Sequence, residues 1–170
     1  NHPVSYSELE ENLWYIPLEK IKAILVTTPG IVNVAPESYF FATNLPASDA
    51  EIQKIAELIH STLLQRSYIS DVELIHLIEK HCPSVIMNTS EYPTWGLRNV
   101  LAYILRDRFS FRGAIISGKG EEISMSEVFA DFSKQNEHMT LDDLRNFANE
   151  LNTVIYWDSV YSETVRITQN

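Results

Sequence analysis

Cysteine, glycine and long apolar runs are all scarce in this chain of 170 residues, and each scarcity removes a class of protein. The single cysteine, Cys82, has no partner for an internal disulfide, so packing must hold the fold and a reducing compartment suits it. A cytoplasmic location is therefore expected. The longest uncharged apolar stretch, Ala23 to Ile31, is broken by Thr27, Thr28, Pro29 and Gly30. A membrane crossing needs roughly 20 apolar residues, so no membrane association is expected, and no basic-then-apolar leader opens the chain. Only five glycines are spread through the sequence, and none forms a credible phosphate-cradling loop. Bases are few as well: 13 against 23 acids, for a formal net charge of −10. What is present is 45% hydrophobic and 21% charged residues, the balance of a folded domain rather than a disordered segment. The sequence starts at Asn1 and an apparent strand, Thr164 to Thr168, runs nearly to Asn170, so it reads as part of a longer protein.

Charge is unevenly placed. Residues 1–60 carry three bases and eight acids, 121–170 three and ten, whereas 61–120 carry seven bases and five acids. Acidic flanks repel phosphate over about a Debye length, ~10 Å at 0.1 M salt, so only the middle third is a plausible nucleic-acid surface. Within it, Trp95 to Lys119 holds Arg98, Arg106, Arg108, Arg112 and Lys119 against the single acid Asp107.

Helix starts are the strongest regularity. Ser or Thr followed three residues later by an acid occurs at Ser7/Glu10, Ser48/Glu51, Ser70/Glu73, Ser124/Glu127 and Thr140/Asp143. The hydroxyl accepts from a free amide of the first turn and the acid favours the positive end of the helix dipole. Two more helices open at proline, Pro17 to Val26 and Pro93 to Arg106. Apolar spacing near 3.6 residues in Ile52, Ile55, Ala56, Leu58, Ile59, Leu63 and in Val72, Leu74, Ile75, Leu77, Ile78 agrees. Strands come in pairs: Ile31 to Val34 with Tyr39 to Ala42 about the turn Ala35 to Ser38, and Phe109 to Phe111 with Ala114 to Ser117 about Arg112-Gly113. A helix-then-hairpin unit therefore appears twice, with a poorer third copy after Ser124 whose end around Tyr156-Trp157 fits a hairpin or a helix. The first unit lacks an opening helix, or shares the one at Ser48.

This order, and the segment Tyr92 to Leu105 leading into the Phe109 to Ser117 hairpin, resembles the winged helix-turn-helix family in tandem. The resemblance implies an α+β, mainly α fold of two or three winged-helix units: a partial unit at 1–46, a central unit at 47–120 and a winged-helix-like unit at 121–170. The family includes DNA readers and modules that bind only proteins. In the DNA-reading case the third helix enters the major groove and the hairpin steadies it.

On a helical wheel Leu97, Val100, Leu101, Ile104 and Leu105 share one side, while Arg98, Asn99, Ala102, Tyr103 and Arg106 share the other. That second face is expected to be offered to solvent. Arginine can pair bidentately with guanine and asparagine with adenine, so Arg98, Asn99, Tyr103, Arg106, Arg108, Arg112 and Lys119 are the candidate nucleic-acid residues. The competing reading has these arginines solvated or paired with neighbouring acids. In the last third Tyr156, Trp157 and Tyr161 are candidate protein-interface anchors.

Signals for chemistry are incomplete. Gly113 to Gly120 has phosphate-loop spacing but places Gly120 where Ser or Thr should hold magnesium, and Ala114 to Ile116 read as a strand. His76, His81 and Cys82 lack a fourth ligand and paired zinc spacing, and Cys82 lacks a positioned base. Asn88-Thr89-Ser90 has the glycosylation pattern without a secretory context. Trp14, Tyr15, Tyr39, Phe40 and Phe41 are expected to serve core and inter-unit packing. The expected function is thus binding without catalysis, cofactor or small-molecule substrate: a DNA-associated regulatory module with double-stranded DNA as partner, or a protein-interaction scaffold of a larger protein.

Overall fold

The computed structural model describes residues 2–136 and 138–151, an α+β and mainly helical chain. The expectations for Tyr156, Trp157, Tyr161 and the strand Thr164 to Thr168 fall outside the described residues. A first unit comprises β1 (Val4–Ser5), α1 (Tyr6–Asn12), α2 (Leu18–Thr27), β2 (Ile31–Ala35) and β3 (Ser38–Phe41). After a 3-10 turn at Ala42–Asn44 comes a second: α3 (Asp49–Leu63), β4 (Ile69–Ser70), α4 (Asp71–His81), α5 (Pro83–Asn88), α6 (Thr94–Ile104), β5 (Phe109–Arg112) and β6 (Ile115–Gly118). Helices α7 (Met125–Gln135) and α8 (Leu141–Glu150) follow.

Capping sets the helix starts. Ser48, Ser124 and Thr140 form full capping boxes with the acids three residues on, as their spacing predicts. At Ser70 the hydroxyl accepts from the amide of Glu73, but the Glu73 carboxylate turns to Arg66 instead of returning to the cap. The first helix departs from expectation: it starts at Ser5 with Glu8, not at Ser7 with Glu10. Ser5 and Ser70 each end a two-residue strand and cap the helix that follows, and such short strands leave no alternation for sequence to reveal. These strands turn each hairpin into an antiparallel three-stranded sheet, in the orders β1-β3-β2 and β4-β6-β5. The first hairpin turns tightly at Pro36-Glu37, with Glu37 in the left-handed region at φ 56°.

The two units share one core. Val34, Phe40, Ala42 and Leu45 pack with Ile55, Ile59, Leu74, Ile78, Leu97, Val100 and Leu101, so the expected boundary between residues 46 and 47 lies inside a continuous apolar cluster. Full burial of one such aliphatic side chain stabilises by roughly 1.5–3 kcal/mol. A second cluster joins α7 and α8 to the outer face of the second sheet through Tyr68 and Ile115 against Phe129, Leu144 and Phe147. Among the described residues, no helix is long and apolar enough to cross a membrane.

Candidate nucleic-acid interface

Helix α6 is the element on which the basic segment depends, and its apolar side behaves as its periodicity predicts: Leu97, Val100 and Leu101 are buried. Its opposite face is not free. At Gly96 an added Cβ would lie 2.0 Å from the carbonyl oxygen of Val34, so the backbone of β2 rests directly on this helix. Asn99 donates through Nδ2 to the carbonyl of Asn33 at 3.0 Å, and the Tyr103 ring packs at the edge of the shared core. The first unit therefore covers part of the face expected to meet DNA, at Asn99, while Arg106 at its end stays exposed. The reason is steric: a glycine in mid-helix removes the side chain that would keep the strand away.

The arginines are also engaged, as the competing reading anticipates. Arg98 donates through Nε to Asp71 at 3.2 Å, with the two side chains only 14% and 22% exposed, and its terminal nitrogens reach the carbonyl of Gly113 and Oδ1 of Asn99. Burial pushes the Asp71 carboxyl upward and Arg98 pulls against it, with the upward push prevailing. Desolvation thus consumes the attraction, and the pair fixes geometry more than it adds stability. Arg112, at the hairpin tip, bonds to Glu122 at 2.8 Å, both side chains mostly exposed.

Three bases of the Trp95 to Lys119 segment remain without a carboxylate partner among the described residues. Arg106 lies over the Tyr103 ring, 4.0 Å from its centroid, and donates to the Tyr103 carbonyl. Lys119 donates to the Arg106 carbonyl, and Arg108 to Oε1 of Gln53 at 2.8 Å. All three are exposed around the turn that leaves α6. The seven expected residues thus split into the half-buried Arg98, Asn99 and Tyr103, a surface ion pair at Arg112, and a small cationic edge at Arg106, Arg108 and Lys119.

A cleft of about 760 Å³ opens on the other side of Arg98, between α4, the start of α6, the second hairpin and α8; Asp71, His76, Trp95, Arg112 and Leu151 line it. Among the described residues no group of three His, Cys, Asp or Glu side chains is placed to hold a metal ion. Cys82 is buried, and burial pushes its thiol up, away from the nucleophilic thiolate. Gly118 belongs to strand β6, so the glycines around Lys119 do not form a phosphate loop.

Sequence reasoning overlooked two features. Asp71 follows the cap Ser70 as Tyr6 follows the cap Ser5, and each faces the base at the matching place on the later helix: Arg98 for Asp71, and Lys22, 5.7 Å from the ring centroid, for Tyr6. Aligning the two caps would have paired them. The first-unit aromatics also diverge from the expected packing role: Phe40 is buried, but Trp14 is 81% exposed and Tyr15 and Phe41 also face solvent. No protein-family model, curated protein or solved structure matches the chain.

Proposed function

We propose that the repeating unit is a winged helix and that the chain is a non-catalytic protein-interaction scaffold. One observation carries the reading: the α6 face that a DNA reader would place in the major groove is occupied by β2, through Gly96 against Val34 and Asn99 against Asn33. A groove-reading helix needs that face open. Two further features support it. The net charge of −10 opposes approach to a polyanion, and large apolar side chains stand exposed on the first unit, at Trp14, Ile24 and Val26. Exposed aromatics and aliphatics are what protein interfaces use as anchors.

The unpaired Arg106, Arg108 and Lys119 favour a second reading, in which this edge touches nucleic-acid backbone without reading bases. Three phosphate contacts predict a log affinity against log salt slope of only about −3. Fluorescence anisotropy with a labelled duplex at ~50 mM salt separates the two. The scaffold reading expects no saturable binding. Saturable binding that is abolished by the triple variant Arg106→Ala, Arg108→Ala, Lys119→Ala would replace it with the nucleic-acid reading.

A further inference from the structure

Each hairpin turn is fixed locally by the residue after a serine cap. The Tyr6 amide donates to the Glu37 carbonyl at 3.1 Å, and the Asp71 amide to the Ala114 carbonyl at 3.0 Å. Those bonds stay within their own units. A second set joins one turn to the other, and it runs through two adjacent residues of α6, Arg98 and Asn99.

From the second hairpin the series starts at the Gly113 carbonyl, which accepts from Nη2 of Arg98. Arg98 is held from behind by Asp71, through Nε at 3.2 Å, and donates through Nη1 to Oδ1 of Asn99 at 3.3 Å, the longest link. Asn99 continues it through Nδ2 to the Asn33 carbonyl at 3.0 Å. The Asn33 side chain then donates through Nδ2 to the carbonyls of Ala35 and Ser38, each at 2.9 Å. Those two residues flank the Pro36-Glu37 turn. Val34 is the extra residue of a β-bulge here, because Asn33 pairs with Tyr39 and Ala35 already with Ser38. Asn33 and Asn99 are half-buried, and the Arg98 side chain is 14% exposed.

The series has a direction. Arginine carries donors only and a backbone carbonyl only accepts, so the Asn99 amide fits between them one way, oxygen toward Arg98 and nitrogen toward Asn33. Withdrawing Arg98 leaves that oxygen without its donor, and turning the amide over would set it against the Asn33 carbonyl. Among the described residues no buried side-chain nitrogen or oxygen lacks a partner, so a broken link adds a cost that the intact series does not carry.

Asp71, Arg98, Asn99 and Gly113 all line the cleft of about 760 Å³. We propose that this series makes the two hairpin turns one conformational unit. An occupant of the cleft that shifts the Gly113 turn, or claims the Arg98 guanidinium, is then registered at the Pro36-Glu37 turn of the first unit. Coupling of this kind needs a contiguous set of bonds whose two arrangements differ in energy, and the Asn99 amide supplies the element that cannot reverse at no cost. The inference goes beyond the scaffold reading, which stands whether or not the turns are coupled.

The test is heteronuclear NMR of the nitrogen-labelled 170-residue chain, read at the side-chain amides of Asn33 and Asn99 and the backbone amides of Ala35, Glu37 and Ser38. Arg98→Lys keeps a cation beside Asp71 but has no planar fork to serve Gly113 and Asn99 together. It should shift the Asn33 and first-turn peaks while those of α7 stay in place. Arg112→Lys, at the same hairpin tip but paired with Glu122 outside the series, should leave the first turn unmoved. In an Asn99→Ala background, Arg98→Lys should no longer move these peaks. Asp71→Asn, which loosens Arg98 from behind, reaches the same peaks should Arg98→Lys not fold. First-turn peaks indifferent to Arg98→Lys and to Asp71→Asn overturn the coupling, as does an equal response to Arg112→Lys. Equal shifts with and without Asn99 also overturn it, since the route would then be the packing of Gly96 on Val34.

Discussion

Replacing Gly96 by alanine tests the contact that closes α6. The added methyl would lie 2.0 Å from the Val34 carbonyl oxygen, 2.8 Å from its carbon and 3.1 Å from its Cα, all backbone atoms with no rotamer to yield. Relief requires α6 and β2 to part by about 1 Å, and a gap of that size forfeits a quarter to a half of each dispersion contact across it. Overpacking of this kind costs typically 1–3 kcal/mol. The Asn99 to Asn33 bond, 3.0 Å at rest, would be stretched past useful length, forfeiting a further ~1 kcal/mol. Against this, alanine is a better helix former than glycine by about 1 kcal/mol. The net expectation is a loss of about 1–3 kcal/mol, a fall in melting temperature of roughly 2–12 °C for a chain of this size. Urea denaturation followed by far-ultraviolet circular dichroism measures it, and an unchanged slope would assign the loss to stability alone. A Gly96→Ala variant as stable as the parent, or more so, would mean that helix propensity is the only term left and that the first unit does not rest on α6 in solution.

Two further outcomes can be checked, one by urea titration and one by thermal melting. Arg98→Ala leaves Asp71 largely buried beside no cation and removes the donor to Gly113; a loss of about 2–4 kcal/mol is expected in urea titrations, and Asp71→Asn in the same background should recover part of it. Glu51 accepts from the Ser48 backbone amide and from the Ser48 and Ser84 hydroxyls, which lower its pKa from 4.5 to about 2. A lowered folded-state pKa adds stability above the unfolded value and loses it as pH falls through the folded one. Melting temperature should therefore drop between about pH 4.5 and 2, with Glu127 and Asp143, also lowered by their caps, contributing in the same direction. Glu51→Gln should flatten part of that slope, and an undiminished slope would remove Glu51 from the account.

Local signals were legible wherever neighbours in sequence are also neighbours in space. Ser48, Ser124 and Thr140 mark their helices because a cap and its acid lie within one turn. The apolar stripe Leu97, Val100, Leu101 names the buried side of α6 because helix period alone sets it. Hairpin placement followed from turn composition, although the strand partners Val4–Ser5 and Ile69–Ser70 were too short to show a pattern. The surroundings of the candidate site were legible only at the next level. The polar wheel face of α6 looks like solvent-facing surface from its residue types, and only the approach of Val34 and Asn33, more than sixty residues earlier in the chain, makes it an interface.

From the chain order of residues alone came the helix and hairpin units, the mainly helical α+β class, the acidic balance and the cationic segment, because propensity, capping and periodicity act over a few residues. The three-dimensional arrangement decided which of those cations are spent and which apolar positions stay open. Asp71 neutralises Arg98 across 27 positions, and α3 packs on α4, β4 and β6 of the second unit. Both outcomes depend on how packed elements share surface, a property of distances between segments that no local pattern encodes.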